Sequence, residues 1–210
     1  MNYYIDFDYT LFNTRGFVND MIEALATHIV KVKKNIDKTE ATKQVDQKFH
    51  KEKIYNIFSV CEYIGNFYEI DSGELKQVAR SVLRNGKKYV YDDVVEFLTY
   101  LKPDNVLNML TASPDNDTTE YQSLKVAGSN ITKYFDNIII TTQPKSELNL
   151  DYSKGIFIDD NPDIINALNS TNAKQIIRIK RPGGKYSDDK VDNSNIKECE
   201  SLLEIIDNKI

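Results

Sequence analysis

The sequence predicts an α/β protein: a Rossmann-like, doubly wound, mostly parallel sheet with an all-helical segment inserted after its first strand. Three observations carry this reading. One short apolar strand opens the chain, residues 14–90 show helical spacing with no strand of convincing length, and from about residue 91 short β-branched runs alternate with helical stripes. The chain then divides into a core of residues 1–13 and 91–210 and a helical insert of residues 14–90.

Residues 3–7 read as a strand ending in acidic residues. From Phe17 onward Val18, Met21, Ile22, Leu25, Ile29 and Val32 fall on one face at three- and four-residue steps. A second stripe runs through Ile54, Ile57, Phe58, Cys61, Ile64 and Phe67 or Tyr68. Its aromatic neighbourhood, Tyr55, Phe58, Tyr63, Phe67 and Tyr68, reads as core of the insert. Leu75, Val78, Ala79, Val82 and Leu83 form a third stripe, between a cap at Asp71 or Ser72 and the Asn85-Gly86 stop. Asp92 is placed to cap a helix carrying Val94, Val95, Leu98 and Leu101, and Pro103-Asp104-Asn105 marks a turn before a buried strand over 106–110. A helix over 116–127 ends at Gly128, and Asn137–Thr141, residues 155–158 and Gln175–Ile179 supply further strands. Another helix begins near Pro162, since proline suits a first helical turn. Residues 181–194, with Pro182-Gly183-Gly184, read as a polar surface loop. A last helix is expected to carry Ile196, Cys199, Leu202, Leu203 and Ile206.

Composition narrows the function classes. At 210 residues the chain can bury a sizeable core, as one large domain or a core with an insert. Its 27 Lys+Arg against 32 Asp+Glu give a net charge of −5 without a broad basic stripe, which argues against nucleic-acid binding. No apolar run approaches the ~18 residues of a membrane-spanning helix. The opening residues have no basic segment ahead of their apolar ones, so no signal peptide is expected. Cys61 and Cys199 lie too far apart for a zinc spacing or a disulfide framework, and a reducing cytoplasm is the expected setting. Both cysteines fall on apolar helical stripes and read as small core residues; His28 and His50, inside the insert, read as structural.

The chemistry lies in what the strands deliver to their carboxyl ends, where open α/β sheets bind ligands. The first strand ends in Asp6-Phe7-Asp8-Tyr9-Thr10 and the 106–110 strand in Thr111-Ala112-Ser113. The 137–141 strand leads into Thr142-Gln143-Pro144-Lys145, and the 155–158 strand ends in Asp159-Asp160-Asn161. Four carboxylates at one edge repel one another unless a cation lies among them. An all-oxygen donor set with room for water suits Mg²⁺ rather than zinc or copper. A threonine and a lysine alongside suit a phosphate group, whose oxygens need donors and positive charge. Asp6 and Asp8, two residues apart, share a face of an extended strand. If the chain turns just after that strand, one can attack phosphorus while the other, protonated, donates to the leaving alcohol and later takes a proton from water. Burying two acids beside Tyr3, Tyr4 and Ile5 without a function would be costly.

On these residues the sequence resembles the haloacid dehalogenase-like superfamily, mostly Mg²⁺-dependent phosphatases acting through an aspartyl-phosphate. Tyr3-Tyr4-Ile5-Asp6-Phe7-Asp8-Tyr9-Thr10-Leu11-Phe12 resembles its first motif, residues 106–110 with Thr111 the second, Lys145 the third, and Ile156-Phe157-Ile158-Asp159-Asp160 the fourth. Tyr134-Phe135-Asp136 before a strand is a further common feature of these proteins. The resemblance implies that Asp6 is nucleophile and metal ligand, and that Asp8 is the general acid/base and binds Mg²⁺ through its carbonyl. It implies that Thr111 and Lys145 hold the phosphoryl group, and that Asp160, with Asp159 behind it or sharing the duty, binds the metal. Because Asp8 is present, the sequence resembles a phosphatase rather than a dehalogenase, and the insert resembles a cap over small-molecule substrates, hinged near residues 13–16 and 88–92. Thirteen residues separate Lys145 from Asp159, and 148–154 is poorly helical, a shortened crossover that leaves Lys154 as the alternative lysine. The expected substrate is a small phosphate ester, with neither nucleic acid nor membrane implied and no oligomeric state specified. Phosphotransfer or phosphomutase chemistry would use the same residues, and a non-catalytic phospho-ligand binder would keep the fold. A signalling receiver domain groups similar residues but lacks the Asp-x-Asp spacing and the large insert.

Overall fold

The computed structural model describes residues 1–51, 56–115, 119–191 and 196–208. The expectations for Ile54, for Tyr55, for the start of the 116–127 helix and for the end of the 181–194 loop fall partly or wholly outside these residues. Among the described residues the strands are β1 (Asn2–Ile5), β2 (Val106–Ala112), β3 (Asn137–Thr141), β4 (Gly155–Asp159), β5 (Gln175–Ile179) and β6 (Lys197–Cys199). The α-helices are α1 (Thr14–Val32), α2 (Lys38–Asp46), α3 (Ile57–Tyr68), α4 (Ser72–Arg84), α5 (Val94–Leu101), α6 (Thr119–Gly128), α7 (Pro162–Asn169) and α8 (Leu203–Asp207). The chain forms two compact units: Met1–Arg15, Tyr89–Ser113 and Asn130–Ile210 in one, Gly16–Lys88 and Pro114–Ser129 in the other.

The first unit holds a six-stranded sheet in the order β3-β2-β1-β4-β5-β6. Every pairing is parallel. The chain moves outward from β1 through β2 to β3, then crosses back to place β4 on the other side of β1. That reversal between β1 and β4 is the switch point at which such sheets bind ligands. A parallel sheet covered on both faces needs apolar residues at successive positions, and Tyr3, Tyr4 and Ile5 and all of β4 are buried. Tyr4, Leu110, Phe157 and Leu168 form one apolar cluster, with Tyr4 stacked on Phe157 at 4.8 Å. Leu148, Leu150 and Tyr152 pack against this same cluster. Their two-residue spacing explains why the segment before β4 reads as poorly helical: an extended run with short 3-10 turns takes the place of a full crossover helix.

Several boundaries differ from the sequence reading: β1 stops at Ile5 rather than residue 7, and β2 runs on to Ala112 rather than ending at 110. Lys197–Cys199 is not helical but pairs in parallel with Ile177–Ile179, and only Leu203–Asp207 forms the last helix. The three-residue step from Ile196 to Cys199 fits a helix, but strand pairing satisfies the backbone at the open edge of β5. Asp92 does not cap α5: Asp93 occupies that position without a capping hydrogen bond, its carboxylate being taken by Arg181 and the Leu202 amide. Elsewhere the caps are as the residue types require. Asp71 accepts from the Gly73 amide ahead of α4, and Asn161 accepts from the Asp163 amide ahead of α7 with Pro162 in the first turn.

The second unit is helical. From α1 it buries Phe17, Met21, Ile22, Leu25, Ala26 and Ile29, whereas Val32 at the helix end is exposed. Ile57, Phe58, Cys61, Ile64 and Tyr68 form the buried face of α3. The aromatic group expected as core divides here: Phe58 and Tyr68 are buried, while Tyr63 and Phe67 are exposed and stack on one another. The helix α4 packs against α3 and α6. Gly128 makes the second contact possible, since a Cβ there would sit 1.8 Å from the Leu83 carbonyl oxygen.

Candidate active site

Asp6 lies just past β1, where its amide continues the ladder onto the Ile158 carbonyl at 2.9 Å. The strand then stops. Leu11 and Phe12 amides both donate to the Phe7 carbonyl, and Tyr9 takes a φ of 58°, a left-handed conformation that non-glycine residues rarely adopt. Phe7 and Phe12, both fully buried, stack at 4.8 Å and anchor the turn from beneath. Asp8 is carried around this turn, so the alternation of an extended strand is not kept. Its carboxylate accepts a hydrogen bond from the Thr14 hydroxyl at the start of α1.

Lys145 arrives from the adjacent loop. Thr141 at the end of β3 accepts from the Gln143 amide, and after Pro144 the chain makes a 3-10 turn over Lys145–Glu147. The Tyr152 hydroxyl lies 2.7 Å from the Lys145 carbonyl and 3.0 Å from that of Leu148, bracing the turn where a longer crossover would place a helix. The buried Lys145 ammonium donates to Asp6 Oδ1 at 2.5 Å and to Asp159 Oδ2 at 2.7 Å. Lys154 lies apart, exposed and paired with Asp151 at 2.8 Å.

Asp159 closes β4 and Asp160 follows it. Both Asp159 oxygens are engaged, one by Lys145 and the other by the Asn161 amide at 3.0 Å. Asp6, Asp159 and Asp160 each offer a carboxylate oxygen, and these oxygens lie within 4.8 Å of one another, all three residues being buried. Thr111, buried within β2 rather than beyond its end, reaches the same edge of the sheet. Of the six expected site residues, Asp6, Asp159, Asp160 and Lys145 thus form one contact cluster. Asp8 and Thr111 belong to neighbouring strand ends.

The electrostatics follow from burial. Loss of solvent pushes the Asp160 carboxyl up to about 9, reinforced by the charges of Asp6 and Asp159. Burial also raises Asp6, to about 7; the nearby Lys145 ammonium opposes this rise, and Asp159 and Asp8 add to it. Burial works against the Lys145 ammonium, but Asp159 and Asp6 outweigh it and hold its pKa above the ordinary lysine value. With all three carboxylates ionised, one ammonium against three charges leaves a net −2 in a buried space. A divalent cation with oxygen preference matches that donor set and that deficit. A buried, charge-imbalanced cluster at a switch point is also where functional groups concentrate.

Three contributors were not singled out from the sequence. Thr14 holds Asp8, and the arginines Arg178 and Arg181 reach the backbone behind the acidic loops. Arg178 had a readable signal: a charged residue in the otherwise apolar strand Gln-Ile-Ile-Arg-Ile.

No protein-family model and no curated protein matches the sequence. Solved structures do match. A HAD phosphatase from Thermococcus onnurineus superposes with a TM-score of 0.66 at 17% identity, covering 99% of this chain and 97% of that one. YfnB of Bacillus subtilis bound to magnesium gives 0.59 at 17% identity, over 99% and 97% of the two chains. The L-2-haloacid dehalogenase of Xanthobacter autotrophicus with chloropropionic acid covalently bound gives 0.60 at 13% identity, over 100% and 99%. With near-complete coverage on both sides and a switch-point acidic cluster on the sheet, the fold of this chain is that of the haloacid dehalogenase-like superfamily.

Proposed function

We propose that the protein is a Mg²⁺-dependent phosphatase that hydrolyses a small phosphorylated metabolite through a phosphoryl group carried on Asp6. The observation that supports this best is the Lys145 ammonium bridging Asp6 and Asp159 beside an Asp160 carboxylate that makes no hydrogen bond among the described residues. Asp6, Asp160 and the Asp8 carbonyl are the groups assigned to hold the ion; Asp159 is assigned to orient Lys145. When bound, Mg²⁺ would supply the positive charge that lets an anionic carboxylate approach an anionic phosphoryl group.

An Asp6 carboxylate oxygen attacks phosphorus as the ester P–O bond breaks, and Asp8 gives its proton to the departing alkoxide. A water then attacks the phosphorus of the aspartyl-phosphate, Asp8 takes its proton, and Asp6 is released with inorganic phosphate. Lys145 holds Asp6 in line and, with the Thr111 hydroxyl, offers donors to the phosphoryl oxygens. Thr14 keeps Asp8 turned toward the same edge. Residues 1–13 and 91–210 are assigned as catalytic core and 14–90 as cap.

Among solved structures of this fold are L-2-haloacid dehalogenases. Asp8 and the excess of carboxylates over the one Lys145 ammonium favour phosphoryl chemistry over halide displacement, because displacement from carbon needs neither a proton for the leaving group nor a metal. The test is side-by-side assay of 4-nitrophenyl phosphate hydrolysis and halide release from 2-chloropropionate, each with Mg²⁺ and with chelator. Phosphate release that needs both Mg²⁺ and Asp6 is expected; halide release unaffected by chelator would overturn the proposal. Transfer to an added alcohol or sugar in place of water would identify a phosphotransferase using the same groups.

A further inference from the structure

Behind the acidic loops lie two buried arginines with no part in the chemistry above. Arg178, on β5, is fully buried. Its Nε donates to the Asp160 carbonyl at 3.3 Å, Nη1 to the Asp189 carbonyl at 2.9 Å and to Glu198 Oε1 at 2.8 Å, and Nη2 to the Tyr186 carbonyl at 2.6 Å. Asn161, next to Asp160, donates to the hydroxyl of that same Tyr186 at 3.4 Å. Arg181 lies just beyond the strand end, also buried. Its Nε and Nη2 donate to the Thr10 carbonyl at 3.2 and 2.8 Å, and Nη1 and Nη2 form a two-pronged pair with the Asp93 carboxylate at 2.6 and 2.9 Å. The guanidinium also lies over the Tyr91 ring, 4.3 Å from its centre.

Each arginine faces a carboxylate, Arg181 that of Asp93 and Arg178 that of Glu198, which Lys180 shares at 3.6 Å. What each gives to the site is geometric: a rigid fork of N–H groups fixed on a backbone carbonyl. The carbonyls differ. Arg178 grips the loop that carries Asp160, whereas Arg181 grips the turn that carries Asp8.

We propose that Arg178 and Arg181 are positioning residues that divide the site between them, Arg178 setting the loop of the metal-binding Asp160 and Arg181 setting the turn of the acid/base Asp8. This rests on the phosphatase reading for the roles of the two acids, but not for the positioning itself. A residue that orients a metal ligand from behind typically controls metal affinity about 10–100-fold, and a small misplacement of a reacting group lowers turnover comparably.

The test uses full-length Arg178→Lys and Arg181→Lys, which keep the charge and lose the fork. Three readouts apply: Mg²⁺ titration by calorimetry, kcat on 4-nitrophenyl phosphate at saturating Mg²⁺, and hydrogen exchange of metal-free protein. Arg178→Lys is expected to raise the Mg²⁺ Kd about tenfold or more and to speed exchange at the amides of Asp160, Asn161 and Asp163. Arg181→Lys is expected to lower kcat at saturating Mg²⁺ roughly tenfold, to speed exchange at residues 9–12, and to raise the Mg²⁺ Kd less than Arg178→Lys does, since the turn it sets also carries the Asp8 carbonyl. Asp93→Asn and Glu198→Gln, which loosen the arginines without removing them, should give the same split more weakly if a lysine variant fails to fold. Equal effects of both arginine variants on Kd and kcat, or exchange raised evenly along the chain, would overturn the proposal. Wild type that neither binds Mg²⁺ nor hydrolyses the ester would refute the phosphatase reading instead, while the exchange pattern would still decide the positioning.

Discussion

Replacing Lys145 with methionine removes the one ammonium between Asp6 and Asp159 while nearly keeping side-chain volume. Lys145 and Asp159 side chains are each 3% exposed and that of Asp6 is 9% exposed, so solvent cannot take over the lost charge. Breaking a buried pair by removing one partner costs about 3–5 kcal/mol. At about 2–4 °C per kcal/mol for a chain of this size, Tm should fall by roughly 6–20 °C at pH 8. The pH dependence comes from the acids. The folded-state pKa of Lys145 is raised, so its contribution is fully present below the unfolded value of about 10.4 and does not vary between pH 5 and 8. Asp6, already up at about 7, rises further without the ammonium, so the variant folds with a proton it must surrender as pH climbs. Its deficit against wild type should therefore be several degrees smaller at pH 5.5 than at pH 8. Thermal unfolding followed by circular dichroism in metal-free buffer measures both. A loss under about 2 °C at pH 8, or one equal at the two pH values, would refute the buried ion-pair account.

The same linkage governs the wild type. Raised pKa values at Asp6 and Asp160 mean that metal-free protein loses stability as pH rises from the unfolded carboxylate range of about 4 towards their folded values of about 7 and about 9. Mg²⁺ at 100 times its Kd at pH 8 should add about 2.7 kcal/mol there, the same concentration should add less at pH 5.5, and chelator should reverse it; thermal shifts insensitive to Mg²⁺ at pH 8 would count against the site. Asp8→Asn should lower kcat about 10²–10⁴-fold while leaving the calorimetric Mg²⁺ Kd within about threefold, since its assigned ligand is a backbone carbonyl. Gly128→Ala brings a methyl group to 1.8 Å from the Leu83 oxygen, and should cost about 1–3 kcal/mol in denaturant unfolding; a silent substitution would mean that α4 and α6 pack less closely than described.

Local chemistry was legible in the sequence where it obeys short-range rules. The apolar runs, the Asp71 and Asn161 caps and Pro162 place their elements directly, and four acids follow strand ends by position alone. Strand order was not legible, because pairing between Asn2–Ile5 and Gly155–Asp159 depends on contacts far apart in the chain. The sixth strand escaped for the same reason: nothing local distinguishes Lys197–Cys199 from a helical turn until Ile177–Ile179 lies beside it. The choice between Lys145 and Lys154 also needed three dimensions, since both stand near strands and only one reaches Asp6. Exposure of Tyr63 and Phe67 shows the converse limit: aromatic spacing marks a helix face but not whether that face is covered.

The central claim is that Asp6 takes up the phosphoryl group. Its most direct test is rapid quench of the protein with Mg²⁺ and 4-nitrophenyl phosphate, borohydride reduction, and mass spectrometry of the peptide containing residue 6. An acyl phosphate reduces to the alcohol, so homoserine should appear at position 6 in wild type and vanish with chelator or in Asp6→Asn. Steady release of phosphate with aspartate intact at position 6, or turnover that persists in Asp6→Asn, would contradict the account.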